Sequence, residues 1–453
     1  MYFLMPCSLR PKSSTLTHVV RLGLLGSMAC LISAPSVGQP SLQLSPSLSL
    51  SNNEESRVVL ARLVELDQLH DTAQHEAAGS LGLLLLQQGA RPSETQRFNI
   101  ANSLAWTNRL PQAIPIYKTL LGGRYESDAR LAIANSLRWS GRADLANPQY
   151  LLAQVSDFDG KNALDGLEYA ARELRPSTTV SLGHVKDSGD MRRSTLLVNH
   201  RWRGNNPAQI FELETRAGQD RLDPAQLKVP ETDLTLRYQD LDAPLAPKVH
   251  VDLMAKPHAN VYAGVRLKLA ESIYLSLDRQ NWGITSFSAR ALDKNLSAYH
   301  LGVESRYNAN IGEFAGNAHL YRVSDGNTVL GTSLKFTPGW RPLGPGLKLF
   351  TSVETRDVRF NTLNYWSPKD GSGTAYIGLL GEWAEKDWAL YGSAQIGRPL
   401  YGEAGTAWST SAAGKRWLNT DTALGFNLWS LSSRRDGVKY RAHSLSVNVE
   451  KLW

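Results

Sequence analysis

From Tyr440 to Trp453 the chain alternates strictly: Leu445, Val447, Val449 and Trp453 fall on one set of positions, and Ser444, Ser446, Asn448 and Glu450 on the other. Successive side chains of a strand point to opposite faces, so this segment predicts a strand with one apolar and one polar face. The same period recurs upstream. Leu234, Leu236 and Tyr238 alternate with Thr235 and Arg237, and Val249, Val251 and Leu253 alternate with His250 and Asp252. Val261, Ala263, Val265, Leu267 and Leu269 alternate with Tyr262, Gly264, Arg266 and Lys268; Phe211 and Leu213 oppose Glu212 and Glu214, and Leu301 and Val303 oppose His300, Glu304 and Arg306. Turn signals such as Asp187-Ser-Gly-Asp190, Ser324-Asp-Gly-Asn327, Lys369-Asp-Gly-Ser-Gly373 and Arg435-Asp-Gly437 separate the segments. Every tryptophan except Trp106 and Trp139 lies in this half, several of them at strand ends, as interfacial aromatic girdles require. The pattern predicts an antiparallel transmembrane β-barrel of about 16 strands over 177–453, with the stretch Phe287 to Leu296 leaving that count open by two. A barrel of this size encloses a water-filled lumen, and its closure removes the sheet edges that lipid could not satisfy. A large soluble sandwich or propeller would show the same alternation.

Before Thr178 the period is that of a helix. Val58, Val59, Leu63, Leu66 and Leu69 share one helical face, and a second helix is predicted over Thr72 to Gln88, ending at Gly89 and Pro92. An internal repeat follows: Ile100-Ala-Asn-Ser-Leu104-x-Trp106 returns as Ile133-Ala-Asn-Ser-Leu137-x-Trp139. The register continues through Ala113 and Ala146, Pro115 and Pro148, and Tyr117 and Tyr150, a period of 33 residues. Tetratricopeptide units have about 34 residues, and their small residues let two helices pack closely. Trp106, Tyr117, Trp139 and Tyr150 are therefore expected to form the core of the repeats, leaving function to the concave surface of the stack. Asp157-Phe-Asp159-Gly160-Lys-Asn162 lacks the terminal glutamate of a calcium loop, so it reads as a turn and helix cap before Ala163 to Leu174, with Pro176 as the stop. The expected organisation is a signal peptide (1–38), a flexible leader (39–56), a tetratricopeptide-like helical domain (57–176) and the barrel (177–453), an α + β membrane protein.

The signal peptide rests on Arg10, Lys12 and Arg21 ahead of the apolar run Leu22 to Ile32, with Ser36-Val37-Gly38 as a small-x-small cleavage site. Both cysteines, Cys7 and Cys30, fall inside it, so the mature chain carries none, which suits an oxidising periplasm. Beyond it the longest apolar run, Leu81 to Leu86, is far too short for a transmembrane helix. The formal charge of +7 comes from scattered Lys and Arg, with no basic stripe for a nucleic acid.

No metal-ligand spacing, Gly-x-Ser-x-Gly or His-Glu-x-x-His motif occurs, and the reading is of a protein without catalytic residues, metal or cofactor. Passage of a glycan asks less: hydrogen-bonding groups that replace water, and aromatic faces on which sugar rings slide. The candidate lumen-lining residues are Glu212, Glu214, Arg237, Asp252, Arg266, Glu304, Arg306, Glu354 and Arg356, and the barrel-closing residues are Val447, Val449 and Trp453. Bases only modestly outnumber acids from Ser177 onward, so selection for one charge sign is not announced.

The repeat, the closing Leu174-Arg-Pro176, the first turn Asp187-Ser-Gly, and the motifs Leu277-Asp-Arg-Gln-Asn-Trp282, Tyr321-Arg-Val-Ser-Asp-Gly-Asn327 and Asn364-Tyr-Trp-Ser-Pro368 resemble the tetratricopeptide-repeat outer-membrane exporters of secreted polysaccharides. The similarity covers most of Ser93 to Trp453 and is strongest to the exporters of poly-β-1,6-N-acetylglucosamine, with cellulose-type exporters close. It departs in the number of repeats, which is usually much larger. The resemblance implies an outer-membrane porin for a biofilm polysaccharide, with the helices in the periplasm. The partners it implies are the polysaccharide, outer-membrane lipid, the barrel-assembly machinery and an inner-membrane glycan synthase complex. A non-transporting surface receptor or adhesin is the alternative.

Overall fold

The computed structural model describes residues 52–453 apart from 108, 157–160, 271, 310, 341–342, 344–345, 403–406 and 436. The signal peptide, most of the leader and the Asp157 to Gly160 turn read from the sequence lie outside the described residues. The chain divides into a helical unit ending at Leu174 and a barrel unit beginning at Arg175.

The helical unit contains α1 (Asn52–Asp71), α2 (His75–Gln87), α3 (Glu94–Trp106), α4 (Leu110–Lys118), α5 (Glu126–Trp139), α6 (Ala143–Ser156) and α7 (Lys161–Leu174). Ser93 opens α3 with a capping box: its hydroxyl accepts from the Gln96 amide while the Gln96 side chain accepts from the Ser93 amide. The repeat has a concrete cause. Ala101, Ala113, Ala134 and Ala146 are fully buried, and their small size brings α3 onto α4 and α5 onto α6. Close packing buries Tyr117 and Tyr150, whose hydroxyls need acceptors. Tyr117 Oη donates to Asn102 Oδ1 at 2.7 Å, and Tyr150 Oη donates to Asn135 Oδ1 at 2.7 Å. The Asn of each Ile-Ala-Asn-Ser-Leu motif is thus the polar partner of the Tyr fifteen residues later. Gly166 of α7 makes room for the second ring, since a Cβ there would lie 2.2 Å from Tyr150 Cε1.

Trp139 is partly buried against the core, but Trp106 is not a core residue: it is 42% exposed and packs on His70 and His75 at centroid distances of 5.5 and 4.5 Å. The two tryptophans hold equivalent positions, but Trp106 meets imidazoles of α1 and α2 instead of apolar side chains. Burial holds the His75 imidazole down at about 4, with the neighbouring charge of His70 acting in the same direction. His70 is also lowered, by burial, against the pull of Asp71 and Asp67. A folded form that prefers neutral imidazole is fully stabilised above the ordinary 6.5 and loses stability as pH falls from 6.5 towards 4. Amide exchange across α2 in the full chain, corrected for intrinsic rate, is expected to show weaker protection at pH 5 than at pH 7; equal protection would mean that the imidazoles do not couple to folding.

The barrel unit contains β1 (Ser177–Asp187), β2 (Met191–Arg203), β3 (Gln209–Leu222), β4 (Leu227–Asp240), β5 (Lys248–Lys256), β6 (Asn260–Ala270), β7 (Ile273–Asn281) and β8 (Ser297–Ala309). It continues with β9 (Gly312–Val323), β10 (Thr328–Pro338), β11 (Leu347–Val358), β12 (Ser372–Ala384), β13 (Trp388–Gly402), β14 (Ala407–Trp417), β15 (Thr422–Arg435) and β16 (Val438–Leu452). Each strand pairs with its sequence neighbours, and β16 pairs with β1, giving a closed barrel of sixteen strands. The register keeps apolar residues together. Val180 sits opposite Val449 and Leu182 opposite Val447; Leu236 lies between Leu213 and Val251; Leu277 lies between Val265 and Leu301; and Ile377 faces Ile396. Leu445, Val447 and Val449 are about half exposed, as an outward apolar band is, while Ser446 and Asn448 between them are more covered on the inner face.

Aromatic residues bound this band at both ends. At the end holding Ser177 and Leu452, Trp340, Trp383, Trp388 and Trp453 are exposed, and Trp202, Phe211 and Tyr238 form a cross-strand row with centroids 5.5 and 5.0 Å apart. Tyr299, Tyr401 and Trp408 stand exposed at the other end. An apolar band between two aromatic rings on a closed antiparallel sheet is the architecture of an outer-membrane β-barrel.

The stretch Phe287 to Leu296 is no strand. The connection between β7 and β8 holds two short helices, α8 (Trp282–Thr285) and α9 (Ala289–Asp293). Asn281 and Ser288 cap them, accepting from the amides of Ile284 and Ala291.

Closure is fixed at the last residue: the Trp453 amide donates to the Pro176 carbonyl at 2.9 Å, its indole Nε1 donates to Thr178 Oγ1 at 2.8 Å, and Arg175 Nε donates to the Trp453 carbonyl oxygen at 3.1 Å. Removal of Lys451 to Trp453 is expected to abolish the compact, heat-modifiable form seen in unboiled detergent gels. An unchanged band shift would show that closure does not depend on this terminus.

Candidate functional site

The inner face of the barrel carries the charges, and the register pairs most of them. Glu214 of β3 accepts from Arg237 of β4 at 3.0 Å, and Arg216 bridges to Glu231 at 3.1 Å and to Asp233 at 3.6 Å. Arg193 of β2 holds Asp220 in a two-pronged pair, both contacts at 2.6 Å. Further round, Lys248 meets Glu212, Arg266 meets Glu304, Arg306 meets Glu313, Lys348 meets Glu382 and Lys415 meets Glu450. His250 Nε2 lies 3.9 Å from Asp252. Of the nine lumen candidates, seven thus stand in cross-strand or same-strand pairs on the inner face. Glu354 and Arg356 lie on the inner face of β11.

The connection between β7 and β8 folds across this interior. Leu292 of α9 is fully buried among Val229, Met254 and Tyr262, inward residues of β4, β5 and β6. Trp282 packs with Tyr321 and Val323 of β9, Val329 of β10 and Tyr365 of the β11–β12 connection; its ring centroid lies 5.0 Å from Tyr321 and 5.3 Å from Tyr365. The Arg193 guanidinium sits 4.6 Å from the centre of the Phe287 ring. These contacts reach from one wall of the barrel to the other. Gly283 allows α8 to lie against α9, because a Cβ there would come 2.4 Å from the Leu292 backbone. Phe287 and Asn295 hold positive φ of 55° and 54°, conformations that a bulky side chain keeps only where its surroundings dictate them.

The β11–β12 connection is tied to the same insert. Lys294 Nζ donates to Asn364 Oδ1 at 2.7 Å, the Ser288 hydroxyl donates to the Asn364 carbonyl, and Tyr365 Oη donates to Asp325 at 3.1 Å. The three barrel motifs quoted above, far apart in the chain, therefore meet around Trp282, Tyr321 and Tyr365.

Between the insert and the wall of β11 to β15 remains an eyelet with a cavity of about 130 Å³, whose lining includes Trp282, Ser286, Tyr321, Glu354, Arg356, Trp366, Tyr376 and Gln395. The Arg356 guanidinium lies 5.2 Å from the centre of the Trp366 ring and donates to the Trp366 carbonyl at 3.3 Å. Two buried polar atoms on the lining, Glu354 Oε1 and Trp282 Nε1, have no hydrogen-bond partner among the described residues. A cavity with aromatic walls and a polar lining that also holds Thr374, Ser432 and Arg434 suits a hydroxylated, flat-faced ligand.

Asp278, His300 and His319, on neighbouring strands, form a chain: His300 Nδ1 lies 2.8 Å from Asp278 Oδ2, and its Nε2 lies 2.9 Å from His319 Nδ1. Gly302 gives them space, since a Cβ would come 2.8 Å from His300. The described residues hold no group of three His, Cys, Asp or Glu able to hold a metal ion.

Sequence reading placed Glu354 and Arg356 but missed Trp282, Trp366, Tyr376 and Gln395 as lining residues. The motifs around Trp282 and Trp366 marked them as distinctive without giving them a place. Replacing Asp220 by Ala leaves Arg193 buried without its carboxylate, which typically costs about 3–5 kcal/mol. Urea unfolding of the refolded barrel in detergent is expected to show that loss; a midpoint within error of the parent would mean that water reaches the guanidinium freely.

No family model matches the chain, and no curated protein matches it. Among solved structures, one described as a bacterial polysaccharide outer membrane secretin aligns with a TM-score of 0.49 at 12% identity, over 62% of this chain and 99% of its own. OccK11 (OpdR) of Pseudomonas aeruginosa aligns with a TM-score of 0.35 at 10% identity, over 62% of this chain and 96% of its own. CdiB from Acinetobacter baumannii aligns with a TM-score of 0.38 at 9% identity, over 61% and 60%. By its own closure, outward apolar band and polar interior, the chain is an outer-membrane β-barrel of porin-like fold.

Proposed function

We propose that the barrel is a passive conduit that exports a secreted polysaccharide, with the helical unit on the periplasmic side receiving the polymer or its synthesis machinery. The observation that carries this reading is a polar lumen crossed by a packed insert, beside which lies a cavity walled in part by Trp282, Trp366 and Tyr376. An ion channel has no use for stacked rings, whereas a polymer of sugar rings slides along them while its hydroxyls exchange partners with the wall. The paired charges of the surrounding wall fit the same role, because groups that satisfy one another bind a passing chain only weakly. No catalytic residue, metal or cofactor enters this mechanism; the work of moving the polymer lies with the machinery that elongates it.

In a deletion strain under biofilm-forming conditions, surface polysaccharide is expected to fall at least tenfold while glycan accumulates inside the envelope, with the full-length gene restoring export. Equal surface glycan in deletion and parent strains would overturn the export reading in favour of a surface receptor.

A further inference from the structure

We propose that the outer rim of the barrel at the β12–β13 turn holds a zwitterionic phospholipid by its head, the phosphate on Arg416 and the ammonium on Glu385. On the orientation proposed above, the end holding Ser177, where the chain enters the barrel, is the periplasmic one, and the lipid belongs to the inner leaflet. Register puts Arg416 on the outside. It sits opposite Trp388 of β13 and Leu424 of β15, both exposed and both on the outward set of positions with Leu390 and Ile396. Its neighbour Lys415 faces the lumen instead and is answered there by Glu450 at 2.5 Å. The Arg416 guanidinium has no hydrogen-bond or ion-pair partner among the described residues. A cation on the lipid face of a barrel is tolerated at headgroup depth, where a phosphate answers it.

The guanidinium opens onto a built recess. The β12–β13 turn, the start of β13 and the end of β14 enclose an open cleft of about 650 Å³, lined by Glu385, Lys386, Asp387, Trp388, Arg416, Trp417 and Leu418. Backbone bonds fix its walls: the Glu385 amide donates to the Trp388 carbonyl at 2.8 Å, and the Trp417 amide to the Asp387 carbonyl at 2.7 Å. The Trp388 indole N–H donates to Glu385 Oε2 at 3.0 Å and holds that carboxylate at the ring. Charge then decides which lipid fits. Glu385 and Asp387 stand against Lys386 and Arg416, so the lining carries both signs in equal number. The fork of an arginine takes a phosphate in parallel hydrogen bonds, and a carboxylate takes a primary ammonium. A phosphoethanolamine head carries both groups, so each end meets its opposite charge while Trp388 and Leu418, exposed at the rim, lie along the glycerol and upper acyl chains. A phosphoglycerol head brings a negative charge alone to two carboxylates, and a phosphocholine head has no N–H to give them.

The test is native mass spectrometry of the purified full-length protein, delipidated in detergent and titrated with phosphatidylethanolamine, phosphatidylglycerol and phosphatidylcholine of identical acyl chains, and with lipid A. The expected result is saturable binding of a single phosphatidylethanolamine at a concentration about tenfold below that of the other three, the worth of one hydrogen bond to a charged group. Arg416→Gln removes the phosphate fork and is expected to weaken all three phospholipids about tenfold, whereas Arg416→Lys keeps a cation and most of the affinity. Glu385→Gln is expected to weaken phosphatidylethanolamine alone, bringing it level with phosphatidylglycerol. Preference for phosphatidylglycerol, equal binding of the phospholipids, or variants that bind as the parent does would overturn the proposal and leave export standing. Preference for lipid A would overturn it together with the orientation. Both side chains are exposed, so the variants are expected to keep the heat-modifiable gel shift; loss of the shift would show that the side chain serves the fold and not a lipid, which also overturns the proposal. Export is decided by the deletion strain, and its failure leaves lipid binding untouched.

Discussion

Every feature of the barrel depends on the pairing of β1 with β16. In lipid a peptide group has no water to turn to, and an open sheet edge would leave a row of amides and carbonyls unsatisfied at a cost of several kcal/mol each. The ladder from Ser177–Leu452 to Asp187–Ala442 closes that edge, and the lumen exists only because it does. The last residue, Trp453, adds a backbone bond to Pro176 and an indole bond to Thr178, so the seam is held at its margin as well as along its length.

Closure then sets the electrostatics. A sheet rolled on itself turns half of its side chains inward, and charged side chains in a confined interior need partners. Because register places Asp220 directly opposite Arg193, and Glu214 one diagonal step from Arg237, the same hydrogen-bond ladder that closes the sheet also pairs its charges. The pairs on β2 to β4 are the most covered, and they share that part of the interior with Phe287, which lies on the Arg193 guanidinium, and with Leu292. The insert is thus held from both sides, by apolar packing against β4 to β6 and by aromatic packing of Trp282 against Tyr321 and Tyr365. What it leaves open is decided by what it fills.

The repeats of the helical unit show the same logic on a smaller scale. Small residues bring helices together, closeness buries a tyrosine, and the buried hydroxyl calls for an asparagine at a fixed distance along the chain. Sequence similarity between the two units is therefore a record of one packing solution used twice. Trp106 departs from it because its neighbours are His70 and His75, which no inspection of the repeat alone could reveal.

The sequence by itself determined the two-part organisation, the helix-to-strand switch before Ser177, the inward and outward faces of the strands and the closing terminus. Those follow from periods of 3.6 and 2, and periodicity is a local property of the chain. It placed Glu212, Glu214, Arg237 and Glu354 alike on a polar face, and could not distinguish them, because which charge meets which depends on register between strands. Only the tertiary structure decided that Glu214 is paired and that Glu354 stands at the eyelet, that Asp278, His300 and His319 touch, and that Phe287 to Leu296 leaves the wall to cross the lumen. That segment has neither period, and its fold is set by Val229, Met254, Tyr262, Tyr321 and Tyr365, residues up to dozens of positions away that come together only when the barrel closes.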